Sequence, residues 1–257
     1  MIQEQDKLLS SVKNALRVLR AFKMNQPQKG VRELASELEL GKSSVQRILT
    51  TLASEGLVKK NSETNKYELG LSVVELSSIF LSGIDLHTES LPILTNLANK
   101  CGETAHIAIL EENNVVYLGK AEGKDAKKIE SHIGLQNYTH CTSSGKLLLA
   151  HSGSYFVNLV IQNGLDSLTP QTITDPEIFR QELDTILKQG YSVSRGEFKL
   201  GRTSVSAPIR DHTGKVIAAI NLVGPSSRFS NPRITYFASE LIRSGELISE
   251  RLGYWKR

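Results

Sequence analysis

The chain has 257 residues, 39% hydrophobic and 23% charged, which fits a globular protein of one large or two ordinary domains. No apolar run approaches the roughly 20 residues that a membrane-spanning helix needs. The opening MIQEQDKLLSS has neither the basic flank nor the apolar core of a secretory signal, so a cytoplasmic protein is expected.

The net charge of +4 is placed unevenly: residues 1–70 hold 12 Lys and Arg against 8 Asp and Glu, while residues 71–257 hold 19 of each. A positive excess confined to one end agrees with a polyanionic partner there. Ser11 is positioned to cap a first helix with apolar positions Val12, Ala15, Leu16, Leu19 and Phe22, ending before Asn25-Gln26-Pro27. Val31 to Gly56 then holds two helix-period segments. Val31, Leu34, Ala35 and Leu38 recur at i, i+3, i+4 and i+7, as do Val45, Ile48, Leu49 and Leu52. The short link Glu39-Leu40-Gly41 forces the two apolar stripes to pack at a steep angle, as in a helix-turn-helix. Gly41 is expected to supply the left-handed residue of the turn.

Opposite its stripe, the second helix (Lys42 to Glu55) presents Ser43, Arg47, Thr50 and Ser54, flanked by Ser44, Gln46 and Thr51, with no carboxylate before Glu55. Hydroxyls, an amide and a guanidinium suit phosphate oxygens and base edges in a major groove. Ser43, Ser44, Gln46, Arg47 and Thr50 are therefore candidate contacts to double-stranded DNA. The plain alternative is a solvated helical hairpin rich in Ser and Thr. Leu57-Val58 and Tyr67-Glu68-Leu69 read as two short strands around the polar turn Asn61 to Lys66, which makes a winged helix. Lys59, Lys60 and Lys66 on the wing are placed for phosphates.

From Leu71 to Gly83 a helical pattern with Leu71, Val74, Leu76, Ile79 and Phe80 reads as a linker helix and a candidate dimer surface; Asp85 to Lys100 continues in helical period. The boundaries drawn are 1–70 for the winged helix, 71–84 for the linker and 85–257 for a second domain. That domain is mixed. Ala105 to Leu110 and Val115 to Leu118 form a hairpin around Glu-Glu-Asn-Asn, with a further short strand at Ile129 to Ile133. Thr142 opens a helical run, and Asp175-Pro176-Glu177 starts a helix that Gly190 ends. Strands follow at Tyr191 to Arg195, Ser204 to Arg210 and Val216 to Val223, with a last helix from about Ile234 to Leu252. The fold class is α+β, an antiparallel sheet with helices on its faces.

Catalytic signatures are missing. His140 to Leu148, HCTSSGKLL, looks like the end of a phosphate loop but lacks the earlier glycine, and Leu147 stands where Ser or Thr would hold magnesium. His132, His140 and Cys141 fit no standard metal spacing, and Cys101 and Cys141 read as reduced thiols. No cofactor, metal or catalytic residue is assigned. A binding site is better supported: Thr142, Ser143, Ser144 and Gly145 open a helix after a loop, so N–H groups and hydroxyls converge on one spot that suits a carboxylate or phosphate. Ser194, Ser204, Ser206 and Asn221 lie in strands behind it. Plain helix capping is the competing reading for Thr142 and Ser143.

LASELELGKSSVQRILTTLASEGLV with Tyr67-Glu68-Leu69-Gly70 resembles the DNA-binding domain of the IclR-type bacterial transcriptional regulators. The second domain resembles that family's effector domain, a relative of the GAF fold, through Gly102-Glu103-Thr104-Ala105-His106, Cys141 to Lys146, Gly190-Tyr191, Gly201, Ser206 to Ile209 with Asp211 and Gly214, and Gly224-Pro225. The resemblance implies a regulator, expected to be a repressor, that binds a palindromic operator as a homodimer or dimer of dimers and responds to a small organic acid. By the same resemblance, effector contacts fall on Ser143, Ser144, Ser194, Ser204, Asn221 and Val223. An Arg common in the family two residues after the glycine is Thr203 here; Arg202, one place earlier, is expected on the other face of the strand. An acidic residue sometimes found at position 194 is Ser. A rival of another class is a sensor or enzyme whose second domain does chemistry while the N-terminal helices only dimerise.

Overall fold

The computed structural model describes residues 9–82, 85–127, 129 and 131–255. It divides into two compact units, residues 1–83 and 84–257.

The first unit runs α1 (Ser10–Ala21), α2 (Val31–Glu37), α3 (Lys42–Ser54), β1 (Val58–Lys60), β2 (Tyr67–Leu69) and α4 (Ser72–Ser82). The apolar stripes meet as their periods require, burying Val18, Leu34, Val45, Leu49, Leu52, Val58 and Tyr67 in one cluster. β1 and β2 pair antiparallel, with Lys59 opposite Glu68. Two expectations need correction. Ser11 does not cap α1, because the Leu9 carbonyl already accepts from the Lys13 amide at 3.0 Å and the helix begins before it. Nor is Gly41 left-handed. Its φ is −61°, and the left-handed residue is Glu39 at φ 55°. The turn needs that conformation to end α2, where the Leu40 amide reaches back to the Ala35 carbonyl at 3.0 Å. Gly41 instead stands at the N-cap of α3. Leu71, Val74, Leu76, Ile79 and Phe80 are all exposed.

The second unit runs α5 (Asp85–Cys101), β3 (Thr104–Glu111), β4 (Asn114–Glu122), β5 (Gln136–Tyr138), α6 (Ser143–Ala150), α7 (Ser154–Asn163), α8 (Pro176–Gln189), β6 (Ser192–Arg195), β7 (Arg202–Arg210), β8 (Val216–Pro225) and α9 (Asn231–Arg251). The six strands form one antiparallel sheet in the order β5-β4-β3-β8-β7-β6. Alternation sorts its two faces. Ala105, Ile107, Val205, Ala207, Ile220 and Leu222 pack against Leu94, Leu97 and Ala98 of α5 and Phe237, Leu241 and Ile248 of α9. On the other face, Ala219 packs with Leu147 and Leu149 of α6, Val160 of α7 and Phe179 and Ile186 of α8.

α8 follows its sequence signals closely: Asp175 accepts from the amides of Glu177 and Ile178, both at 2.9 Å, and Gly190 closes the helix at φ 80°. The strand expected at Ile129 to Ile133 is not found among its described residues. The edge strand is β5, a few residues on, where Gln136 and Tyr138 pair with β4. α7, between Gly153 and Gly164, was not expected. α9 begins at Asn231, three residues before the expected start, with Pro232 in its first turn.

Candidate functional site

Two groups of polar residues stand out, one in each unit. On α3, Ser43, Ser44, Gln46, Arg47 and Thr50 are all exposed. Among the described residues, Ser43, Ser44 and Arg47 make no side-chain hydrogen bond or ion pair. Gln46 is partly held, its amide donating to the Tyr67 hydroxyl at 3.1 Å and to Thr50 Oγ1 at 3.3 Å, which ties the helix to the wing. The wing lysines differ from one another. Lys59 pairs with Glu68 and Lys66 with Glu33, each at 2.9 Å, while Lys60 has no such partner among the described residues. Glu33 also accepts from the Gly30 amide at 2.6 Å, and that backbone N–H together with Lys66 holds its carboxyl below the usual range.

The second group is built by strand register. Ser194, Ser204, Val223 and Thr104 are cross-strand partners in one row; Ser192, Ser206, Asn221 and His106 form the next row on the same face. The row between them, Val193, Val205, Leu222 and Ala105, turns to the core. Over these polar rows lies the N-terminus of α6. Thr142 caps it, accepting from the Gly145 amide at 3.1 Å and donating to the Tyr138 carbonyl at 2.8 Å. The turn is so tight that a Cβ on Gly145 would lie 2.2 Å from the Thr139 carbonyl oxygen, so only glycine fits.

A cavity of about 50 Å³ opens where these elements meet, room for a few water-sized groups. Thr142, Ser194, Ser204, Asn221 and Val223 line it, joined by Tyr117, Phe198, Lys199, Arg202 and Thr203. Ser143 and Ser144 are not in the lining. Both are fully buried just behind it, with Ser143 Oγ 2.7 Å and Ser144 Oγ 3.2 Å from Ser206 Oγ. Asn221 donates to Ser144 Oγ at 2.9 Å, and Ser194 donates to the Cys141 carbonyl at 2.8 Å. Arg202 lines the cavity with Ser204, since residues two apart in β7 share a face, so it does not point away from the site as expected. Thr203, on the opposite face of β7, has its Oγ1 2.9 Å from Ser226 Oγ.

The lysine of the TSSGK stretch takes no part in this lining. Lys146 is buried inside, donating to Glu197 at 2.7 Å, to Glu182 at 2.8 Å and to the Val193 carbonyl at 2.8 Å. Burial pushes the Glu197 carboxyl up, and Lys146 opposes that shift. The Glu197 carbonyl in turn accepts from Thr172 Oγ1 at 2.6 Å, which pins the loop that carries Phe198 and Lys199. No metal-binding group of three or more His, Cys, Asp or Glu exists among the described residues. His140 Nε2 lies 3.0 Å from the Asp166 carbonyl, and burial pushes the Cys141 thiol up to about 12, so it is no ready thiolate ligand.

Residues 79–250 match the bacterial transcriptional regulator IclR C-terminal family, and residues 11–62 match the IclR helix-turn-helix domain. The chain belongs to the IclR family. It is 31% identical over 248 residues to the HTH-type transcriptional regulator XynR of Escherichia coli, covering 96% of this chain and 98% of that protein. It is 27% identical to the HTH-type transcriptional repressor AllR of Salmonella typhimurium, covering 93% and 86%. An IclR homologue from Microbacterium hydrocarbonoxydans, solved in complex with 4-hydroxybenzoate, superposes with a TM-score of 0.83 at 26% identity, covering 94% of this chain and 98% of that one.

This IclR-family chain is thus a DNA-binding transcriptional regulator and not an enzyme, which removes the catalytic rival raised from sequence. No helix among the described residues is long and apolar enough to cross a membrane. Sequence reasoning missed Tyr117, Phe198 and Lys199 in the lining. Their signals were non-local: Tyr117 reaches the site through the β3–β4 register, and the loop residues through the contacts of Glu197 with Lys146 and Thr172.

Proposed function

We propose that this IclR-family regulator is a cytoplasmic repressor that binds a palindromic operator as a homodimer or dimer of dimers and is switched by a small carboxylate in the cavity at the α6 N-terminus. The observation that carries the reading is the cavity lining. Tyr117, Thr142, Ser194 and Asn221 supply hydrogen-bonding groups, and Lys199 and Arg202 bring positive charge to the same small space. A carboxylate satisfies both through charge-assisted hydrogen bonds. Thr104 Oγ1, in the same strand row, is buried without a hydrogen-bond partner among the described residues, an atom that a ligand network would serve.

The DNA half rests on the open donor face of α3, where Ser43, Ser44, Gln46, Arg47 and Thr50 would contact bases or phosphates and Lys59, Lys60 and Lys66 would hold the backbone. A dimer is supported by Leu71 and, on α4, Val74, Leu76, Ile79 and Phe80, apolar residues that stay exposed in a single chain. The 4-hydroxybenzoate bound by a relative is an acid of the proposed class. A repressor among the relatives favours repression over activation.

The test is a thermal-shift screen of small carboxylic acids, with their amides as neutral controls. A true effector raises Tm by mass action and changes operator binding in a gel shift at fixed salt. A panel in which acids and amides behave alike would remove the carboxylate from the proposal.

A further inference from the structure

Behind the cavity lies a chain of buried side chains that capping and packing do not require. His106, wholly buried, has Nδ1 3.0 Å from Asn221 Oδ1 and Nε2 2.8 Å from Ser131 Oγ. An amide oxygen only accepts, so Nδ1 must carry the proton; Nε2 is then the acceptor and Ser131 the donor. With its oxygen held, Asn221 must direct its N–H groups the other way. One goes to Ser144 Oγ at 2.9 Å. Its amide also bears on the hydroxyl of Tyr117, whose ring stacks on His106 with centroids 4.2 Å apart. The Tyr117 hydroxyl, bonded to the side-chain amides of both Asn221 and Asn137, can accept from them and turn its own proton to the cavity. Ser144 Oγ, accepting from Asn221, is also hydrogen-bonded to Ser206 Oγ at 3.2 Å.

We propose that His106 is the positioning residue of the effector cavity: by holding the Asn221 amide oxygen, it orients the network so that the cavity wall offers protons to a bound anion. The inference rests on the cavity being the effector site and adds what sets its polarity. Reversing the Asn221 amide would turn its oxygen toward Ser144 and Tyr117 and its NH₂ toward Nδ1, which the ring could accommodate only by moving its proton to Nε2 and making Ser131 the acceptor. Burial keeps the ring neutral, with its pKa down at about 4, so the single-proton tautomer is maintained.

The experiment uses the full-length protein labelled with 15N at histidine and asparagine, together with His106→Gln and His106→Leu. The wild-type His106 ring should show the neutral Nδ1–H tautomer, unchanged across the pH range in which exposed histidines titrate. An Nε2–H tautomer, or titration alongside the other histidines, overturns the inference, and that reading needs neither variant to fold. The Asn221 side-chain amide should be protected from hydrogen exchange in the wild type and in His106→Gln, whose amide can donate in place of Nδ1, and lose that protection in His106→Leu. Equal protection in the Leu variant overturns it as well. Sodium acetate, titrated at constant ionic strength as a minimal carboxylate, should shift the Asn221 amide signals in the wild type and not in His106→Leu. If acetate leaves those signals unmoved in the wild type while the tautomer is as stated, the anionic-site reading fails, and the inference with it.

Discussion

The serine pairs in the first turns of α3 and α6 live in opposite settings. Ser43 and Ser44 at the start of α3 are exposed and make no side-chain hydrogen bond among the described residues, whereas Ser143 and Ser144 at the start of α6 are fully buried and bonded to Ser206. The residue type is the same; the difference is whether the chain has already used the hydroxyls. A surface donor left open is available to an outside partner at little desolvation cost. A buried donor must be satisfied from within, and it then fixes the geometry of what surrounds it. The first arrangement suits a face that meets a large polyanion, the second a cavity that must hold its shape for a small one.

The largest effect that would break the comparison lies on the buried side. Lys146→Met leaves Glu197, 6% exposed, without its cation. Removing one partner of a buried pair costs about 3–5 kcal/mol, so chemical denaturation should show a loss of that order. The pH dependence carries the cause. Burial already raises the Glu197 carboxyl, and loss of Lys146 raises it further, so the folded variant binds a proton more tightly than the unfolded chain, whose value is about 4.3. Its stability therefore rises as pH falls through the folded pKa, and the gain is complete below the unfolded one. A variant equally unstable at neutral and acidic pH would show that lost packing, not the stranded carboxylate, is responsible.

A smaller effect tests the open side. Arg47→Ala removes an unbonded guanidinium from α3 and should weaken operator binding by about 1–3 kcal/mol if the residue reads a base. Stability should stay within about 0.5 kcal/mol, as for surface substitutions generally. Measured together, gel shift and denaturation separate the two settings: Lys146 acts on folding, Arg47 on binding. An Arg47→Ala protein that keeps full affinity at moderate salt would remove α3 from the groove.

The same contrast explains what could be read in advance. α8 was legible because its cap, first-turn proline and terminal glycine are local signals. The helix-turn-helix was legible from two stripes and a short link. α7 was not, since Tyr155, Phe156, Val157, Leu159, Val160 and Ile161 form an apolar run whose periodicity does not separate helix from strand. In the second unit the sequence alternates Ser-Val-Ser at 192–194 and again at 204–206, which puts the serines on one face. Which hydroxyls would line the cavity and which would stand behind it was not visible, because that depends on how α6 lands across β6, β7 and β8. His106 stands in the Gly102 to His106 stretch, but its contact with Asn221 follows only from the strand register that sets the two opposite. Left-handed Glu39 in place of Gly41 is a smaller lesson: the turn's strain belongs to the end of α2, and a glycine two residues later does not mark it.

The smallest predicted effect sharpens the comparison within the open side itself. Lys59, Lys60 and Lys66 look equivalent in sequence, yet Lys59 and Lys66 already face Glu68 and Glu33. A lysine paired with a carboxylate releases fewer counterions on meeting a phosphate, because its charge is partly met beforehand. Lys60→Gln should therefore lower the slope of log K against log salt by close to 0.9 if Lys60 neutralises one phosphate. Lys59→Gln and Lys66→Gln should change it less, since each also frees a carboxylate on the wing or beside it. Operator titrations at several salt concentrations read the three slopes directly. Equal changes for all three would mean that both ion pairs open when DNA binds, and that the wing, like α3, presents its cations unbonded.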